Sequence, residues 1–134
     1  MNLGDINYAA VVVAALLAFA IGGLWYSPIL FARVWMREAG VDDQRLKEAN
    51  MARVFGLSLL CSLIMALNLA AFLGRDATLA FGLAAGAATG IGWVSMALGV
   101  IYLFERRSTR LWLINSGYQV LTLTVMGGVI GAWK

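Results

Sequence analysis

Four long stretches of this chain contain no charged residue, and they dominate its pattern of hydrophobic and polar positions. The stretches are 21 to 28 residues long and hold 99 of the 134 residues but none of the 17 charges. A helix needs about 20 apolar residues to cross a hydrocarbon layer about 30 Å thick. The pattern therefore predicts an all-α membrane protein, a single domain over residues 1–134. Its four transmembrane helices are expected at about 6–27, 54–74, 77–104 and 111–133.

The connection between the first two spans, at about 28–52, has helix signals of its own. Ser27 followed by Pro28 is a typical helix start, because a hydroxyl can cap the first turn and the fixed φ of proline suits it. Gly40 is a typical helix end, and Asp42 is a typical cap for a second short helix that runs to Glu48.

The first of these short helices is predicted to be amphipathic. Phe31 and Trp35 share one face, and Arg33 and Arg37 share another. We expect such a helix to lie in the headgroup layer with its aromatic face towards the membrane. It serves either as a solvated connector or as a site for an anionic lipid or a partner.

Basic residues are distributed unevenly between the two ends of the predicted bundle. Eight lie in the connections that follow the first and third spans, and two, Arg75 and Lys134, lie at the opposite end. The positive-inside rule then places the basic connections in the cytoplasm and both termini outside. A pI near 9.4 is explained by these membrane edges, so nucleic acid is not an expected partner.

Aromatic residues occur where the predicted spans would meet the headgroups. Tyr8 and Trp133 mark the outer interface, and the inner one is marked by Trp25, Tyr26, Tyr102 and Trp112. Anchoring at the interface is the common role of such residues.

Polar residues within the spans are concentrated in the fourth. Asn115, Gln119 and Thr122 recur at helical spacing, with Tyr118 beside them, so they form one stripe from the basic end to about the midplane. An amide in the membrane must face protein or water. The stripe therefore contacts neighbouring helices or lines a path for a solute. Trp93 lies deep in the third span, and we expect Asn115, Gln119 or a backbone carbonyl to accept its indole N–H.

Glycines recur every four residues in the last two spans. These positions are Gly82, Gly86, Gly90, Gly127 and Gly131. Such spacing allows helix backbones to approach closely. The glycines serve packing within one chain, contacts between copies, or both.

The residue types needed for most catalytic chemistry are missing. The chain has no histidine and a single cysteine, Cys61, and every carboxylate lies in a loop or at the edge of a span. We therefore expect no enzyme activity, no metal or cofactor, and no catalytic residue. Glu105 beside Arg106 and Arg107 is the one carboxylate at a span end next to a basic cluster. An ion pair at headgroup level is its simplest role, and a lipid-active site is the alternative.

Several segments together resemble a known family. They are Trp25-Tyr26-Ser27-Pro28, Trp35-Met36, Leu103-Phe104-Glu105-Arg106, Leu113-Ile114-Asn115-Ser116-Gly117-Tyr118-Gln119, and Met126-Gly127-Gly128 to Gly131-Ala132-Trp133. The chain is similar over nearly its whole length to the bacterial membrane family catalogued as domain of unknown function 1761. The resemblance implies a small four-helix protein of the bacterial inner membrane and implies no activity.

Three hypotheses of function follow from these features. The leading one is a non-enzymatic protein that assembles as a homo-oligomer, or as an accessory subunit of a larger membrane complex, through its glycine-lined faces. The second is a small channel or transporter for an uncharged or weakly polar solute, lined by the polar stripe. The third is a lipid-binding protein centred on Glu105 and the cytoplasmic arginines.

Overall fold

The structure is a computed structural model that describes residues 3–133, in which helices but no β-strand occur. The α-helices are α1 (Tyr8–Trp25), α2 (Ala32–Ala39), α3 (Asp43–Glu48), α4 (Met51–Leu73), α5 (Leu79–Thr89), α6 (Ser95–Phe104) and α7 (Thr109–Ala132). A π-helical turn, Gly90–Val94, joins α5 to α6, so that Leu79–Phe104 is one continuous helix, called here the third long helix. Together with α1, α4 and α7 it gives four helices that are long and apolar enough to cross a membrane. The predicted fold class is thereby confirmed.

Helix α7 lies at the centre of the bundle. It packs against α1, α4 and the third long helix, and α1 also packs against α4. The third long helix, by contrast, contacts α7 closely and α4 very little. The α1, α4 and α7 helices thus form a three-helix unit, and the third long helix is attached to one side of it.

Small side chains allow the three-helix unit to pack closely. Ala10, Ala14, Ala15 and Ala18 of α1 are almost completely buried, as is Met126 of α7. The alanines lose no side-chain rotamer freedom on packing. They also bring the neighbouring backbones close together, which increases dispersion contacts along the whole helix.

Both glycine repeats are used in one contact within the chain, between the third long helix and α7. A Cβ atom added to Gly82 would overlap the carbonyl oxygen of Gly127, and one added to Gly86 would overlap the carbonyl oxygen of Leu123. Gly131 stands in the same relation to the carbonyl of Thr78. The backbones therefore touch directly, and these glycine faces are occupied inside a single copy.

The π-helical turn changes the register of the third long helix. Ser95 donates both its backbone N–H and its hydroxyl, at 2.6 Å, to the carbonyl of Gly90. The buried positions therefore step from Gly82 to Gly86 to Gly90 and then, after five residues, to Ser95. Because of the extra residue, Trp93 points away from α7 and is 78% exposed.

The two ends of the bundle differ in what they carry. At one end, Asp5 lies 3.5 Å from Arg75, and the Asn7 amide donates to the carbonyl of Trp133 at 3.5 Å. This end, called here the terminal end, thus joins the segment before α1, the residue that follows α7 and the 74–78 loop. The connections 26–50 and 105–108 lie at the opposite end, called here the basic end.

The helix signals in the first connection have mixed outcomes. The expected start at Ser27 and Pro28 is wrong, because α2 begins at Ala32. Ser27 instead donates its hydroxyl to the carbonyl of Leu24 at 2.6 Å, at the end of α1. A residue before proline is disfavoured in the helical conformation, so the chain turns at this point.

The other signals in that connection are confirmed. Gly40 ends α2 with a φ of 71°, in the left-handed region that glycine adopts readily. The Asp42 side chain accepts from the backbone N–H of Arg45 at 2.8 Å and caps α3.

Candidate functional site

A hydrogen-bonded chain of side chains joins three helices at the basic end. The hydroxyl of Tyr26 donates to the Oδ1 atom of Asn115 at 2.7 Å, and the Nδ2 atom of Asn115 donates to the hydroxyl of Tyr102 at 2.7 Å. Tyr26 follows α1, Tyr102 lies near the end of α6, and Asn115 belongs to the second turn of α7. The amide therefore connects both neighbours of α7 through its two polar atoms.

Two tryptophans donate further hydrogen bonds between helices in the same region. The indole N–H of Trp25 donates to the carbonyl of Ile114 at 2.9 Å, and that of Trp112 donates to the carbonyl of Ser95 at 2.8 Å. The sequence pattern predicts that both residues, with Tyr26 and Tyr102, anchor the helices at the headgroups. In the structure the two tryptophans are half-buried and donate hydrogen bonds between helices, a role that the sequence pattern does not indicate.

The aromatic face of the first short helix packs against the bundle. The ring of Trp35 lies 5.7 Å from that of Tyr26, and the ring of Phe31 lies 4.8 Å from that of Trp25. The ring of Tyr26 is also 5.3 Å from that of Tyr118. These contacts correct the expectation that this face lies against the membrane, because its ring partners, Trp25 and Tyr26, lie at the end of α1. Arg33 and Arg37 are exposed, as expected from their shared face.

The loop between α6 and α7 has an unusual backbone. Arg106 adopts a φ of 58°, although it is not glycine. The N–H of Arg107 bonds to the carbonyl of Tyr102 at 2.9 Å, and the N–H of Arg106 bonds to that of Leu103 at 3.3 Å. This is the Schellman ending of a helix, which usually has glycine in the left-handed position. Arg107 also pairs with Glu105 at 2.9 Å, so the expected ion pair of Glu105 is present, and its guanidinium lies 5.8 Å from the Tyr102 ring centre.

The polar stripe of α7 faces the interior of the bundle. The Tyr118 hydroxyl donates to the carbonyl of Ala18 at 3.1 Å, and Thr122 is 2% exposed. The buried Oε1 atom of Gln119 and the hydroxyls of Thr122 and Ser116 make no hydrogen bond of good geometry within residues 3–133. The stripe is packed between helices, and none of the four residues assigned to it lines either of the two cavities described here.

The larger cavity is a groove that opens sideways between α4 and the third long helix. Its volume is about 700 Å³, and its floor is formed by Leu123 of α7. The walls are mostly apolar and include Phe72 of α4 with Phe81 and Ala88 of α5. The groove exists because α4 and the third long helix both pack against α7 but hardly against each other.

Two side chains at the groove have unused hydrogen-bonding capacity. Asn68 is exposed and donates one N–H to the carbonyl of Ile64 at 2.9 Å, which leaves its second N–H and its carbonyl oxygen available. The indole N–H of Trp93 has no partner within the described residues. The expected bond from Trp93 to Asn115, Gln119 or a backbone carbonyl is wrong, because the π-helical turn directs this side chain to the groove. Sequence reasoning missed the groove, and a signal of it was Asn68, the one amide side chain within the mostly apolar α4.

Residues 3–133 contain no group of three or more His, Cys, Asp or Glu side chains that could hold a metal ion. Cys61 is a free, exposed cysteine on α4.

Comparison with known families gives one match. The sequence profile of a family described as a protein of unknown function, DUF1761, matches residues 9–131. The chain belongs to this family. The matched range extends from the first turn of α1 almost to the end of α7, so the DUF1761 domain is the whole helical bundle. We found no match among curated proteins and none among solved structures.

Proposed function

We propose that this DUF1761 protein is a non-enzymatic subunit of the bacterial inner membrane that acts by assembling with other protein chains. The assembly surface is the open face formed by α4 and the third long helix. The observation that carries the proposal is the exposed amide of Asn68 on a long apolar helix that is itself mostly exposed.

The physical argument concerns the environment of that amide. Asn68 lies five residues before the end of α4, so it is about 8 Å from the helix end at a rise of 1.5 Å per residue. In a spanning helix this depth is within or next to the hydrocarbon layer. The second N–H and the carbonyl oxygen of Asn68, which the bond to Ile64 leaves unpaired, cost free energy there, since lipid chains offer neither donors nor acceptors. A protein partner can supply them.

The glycine-lined faces, which the leading sequence hypothesis assigns to contacts between chains, are packed within one chain. A homo-oligomer formed through the glycine faces would require surfaces that are already packed inside one copy. The open face of α4 and the third long helix remains available.

The proposed orientation follows from the charges. With the basic end in the cytoplasm and the terminal end outside, eight basic side chains lie on the cytoplasmic side and Arg75 lies on the other. Lys134, which the sequence pattern also assigns to the outer side, is outside the described residues. In this orientation the groove opens towards lipid.

Native mass spectrometry of the protein, gently extracted from its own membrane, tests the proposal. We expect the protein to be released with at least one further chain. Ala88→Leu, which fills the groove, should reduce the fraction carrying that chain, whereas Ala97→Leu should not. Ala97 is an exposed alanine of the same long helix that does not line the groove. A protein that is always released as a single chain would refute the proposal.

Lipid binding is the second candidate, and the groove favours it. A cavity of about 700 Å³ that opens sideways and is lined mainly by apolar side chains can hold an apolar chain. If the same spectra show a retained lipid that Ala88→Leu removes and Ala97→Leu keeps, with no second protein chain, this function replaces assembly. The solute path lined by the fourth span is not favoured, because its polar side chains are packed between helices.

A further inference from the structure

The exposed face of α4 carries a regular pattern that the proposed function does not by itself explain. Val54, Leu57, Cys61, Ile64 and Asn68 are all exposed and follow one another at steps of three, four, three and four residues. Steps of three and four residues keep side chains on one face of an α-helix, and a face with this a/d spacing can pack along another helix with a slight left-handed crossing. Three of these positions are large and aliphatic, which suits interdigitation.

Asn68 occupies an a-type position in this pattern. A single polar residue at an a position fixes the register and the number of helices in parallel coiled coils. An amide is also complementary to itself, since it has both donors and acceptors. Two Asn68 side chains that face each other can therefore satisfy the atoms left free beside the bond to Ile64.

We infer that the partner is a second copy of this chain, packed α4 against α4 about a two-fold axis along the membrane normal. This inference rests on the proposed function and names its partner. The orientation proposed from the positive-inside rule is the same for every copy, so the α4 helices of two copies run parallel. A two-fold axis in that direction then places each residue opposite its own equivalent at the same depth.

A second copy fits this face better than the other occupants do. A lipid chain has no group that can bond to an amide at this depth. An unrelated helix needs a polar residue at the matching height, whereas the second copy brings Asn68 there by symmetry. The same symmetry places Cys61, two helical turns from Asn68 on the same face of α4, opposite the partner's equivalent cysteine.

The single cysteine, Cys61, allows the proposed contact between two α4 helices to be tested by disulfide crosslinking. Facing a positions in a parallel helix pair are close enough for the Cα separation that a disulfide needs, about 4.4–6.8 Å. We expect mild oxidation with copper phenanthroline, in native membranes, to convert most of the protein into a covalent dimer. The matched control is the double variant Cys61→Ser with Leu60→Cys. It moves the thiol by one residue and about 100° around the helix, to an exposed position at nearly the same depth, and it should give little dimer.

The role of the amide is tested separately. Asn68→Leu should weaken dimerisation in lipid nanodiscs by about tenfold, which is the scale of one or two interhelical hydrogen bonds. Asn68→Gln, which keeps the amide, should retain more of the affinity. Leu67→Asn, combined with Asn68→Leu, moves the amide off this face of α4 and should not restore the affinity of dimerisation.

The outcomes separate this inference from the proposed function. Strong crosslinking through Cys61, weak crosslinking through position 60 and a loss of affinity in Asn68→Leu support the two-fold dimer. Equal crosslinking at positions 60 and 61 overturns it, because random collision would then explain both. If native mass spectrometry shows a different protein bound and no second copy, the inference fails and the proposed function stands. If the protein is released alone, both fail.

Discussion

Gly86→Ala adds one methyl group at the closest approach of the third long helix to α7. The new Cβ would overlap the carbonyl oxygen of Leu123 and lie 3.0 Å from the Cα of Thr124. The atoms that it would overlap belong to the backbone of α7, which cannot rotate away as a flexible side chain could. The two helices must therefore move apart, and the contacts at Gly82 and Gly90 loosen with them.

The expected size of the effect comes from two opposing contributions. Forcing an extra methyl into a tightly packed contact costs about 1–3 kcal/mol, and a backbone obstacle places this site near the upper value. Replacing glycine by alanine in a helix returns up to about 1 kcal/mol. We expect a net loss of about 2 kcal/mol in the free energy of unfolding, or about a thirtyfold change in the equilibrium constant.

Unfolding in mixed micelles measures this difference. The protein, in a mild detergent, is titrated with SDS and its helix content is followed by circular dichroism. Gly56→Ala is the matched control, because Gly56 is a helical glycine of α4 with no heavy atom within 4 Å of an added Cβ. That variant should be as stable as the original protein or more stable.

Equal stability of Gly86→Ala and the original protein would refute the packing argument. A different result would also refute the argument that these glycines pack within one chain. If Gly86→Ala leaves the unfolding of the monomer unchanged but dissociates an oligomer, the glycine faces lie between copies and not within one.

Three further substitutions test other parts of the structure. Asn115→Leu leaves the hydroxyls of Tyr26 and Tyr102 without their shared partner and should lower the free energy of unfolding by about 1–3 kcal/mol in the same titration. Arg106→Gly removes a side chain from the left-handed conformation and should raise that free energy by up to about 1 kcal/mol. Gly40→Ala should have the opposite sign, by about 1 kcal/mol, and should speed amide hydrogen exchange in the last turn of α2.

Each of these has an outcome that contradicts it. A neutral Asn115→Leu would mean that water or lipid headgroups replace the amide. A destabilised Arg106→Gly would mean that contacts of the arginine side chain outweigh the backbone strain. Unchanged exchange in Gly40→Ala would show that α2 ends independently of this residue.

The helix boundaries could be predicted from the sequence where a local signal, such as a capping residue, defines them. Asp42, Gly40 and the charges that flank the apolar stretches act over one or two turns, so their effect is visible in the sequence. The start of α2 was predicted wrongly because Ser27 and Pro28 can equally end one helix or begin another. Which of these happens depends on whether the hydroxyl meets the carbonyl of Leu24, and the sequence pattern does not show that.

The candidate site was only partly accessible to sequence reasoning. Asn115 was identified as a polar residue that needs partners, but its bonds to two tyrosines from different helices required the fold. Trp93 was expected to donate to Asn115, Gln119 or a backbone carbonyl because it lies deep in the third span, where an indole N–H needs an acceptor. The π-helical turn at Gly90–Val94 directs its side chain outwards instead, and a pattern of 3.6 residues per turn does not reveal such a turn.

By itself the sequence determined the number of long helices, their approximate ends and the grouping of the basic connections at one end. More than 20 consecutive uncharged, mostly apolar residues have few other stable arrangements. The tertiary structure alone decided which faces of those helices meet. A helix that is apolar all round has no polar side to mark its exposed face, and lipid is as apolar as the interior of the bundle. The contact of Gly86 with Leu123, the outward turn of Trp93 and the exposure of Asn68 follow from the shapes of the packed helices, which the hydropathy pattern does not contain.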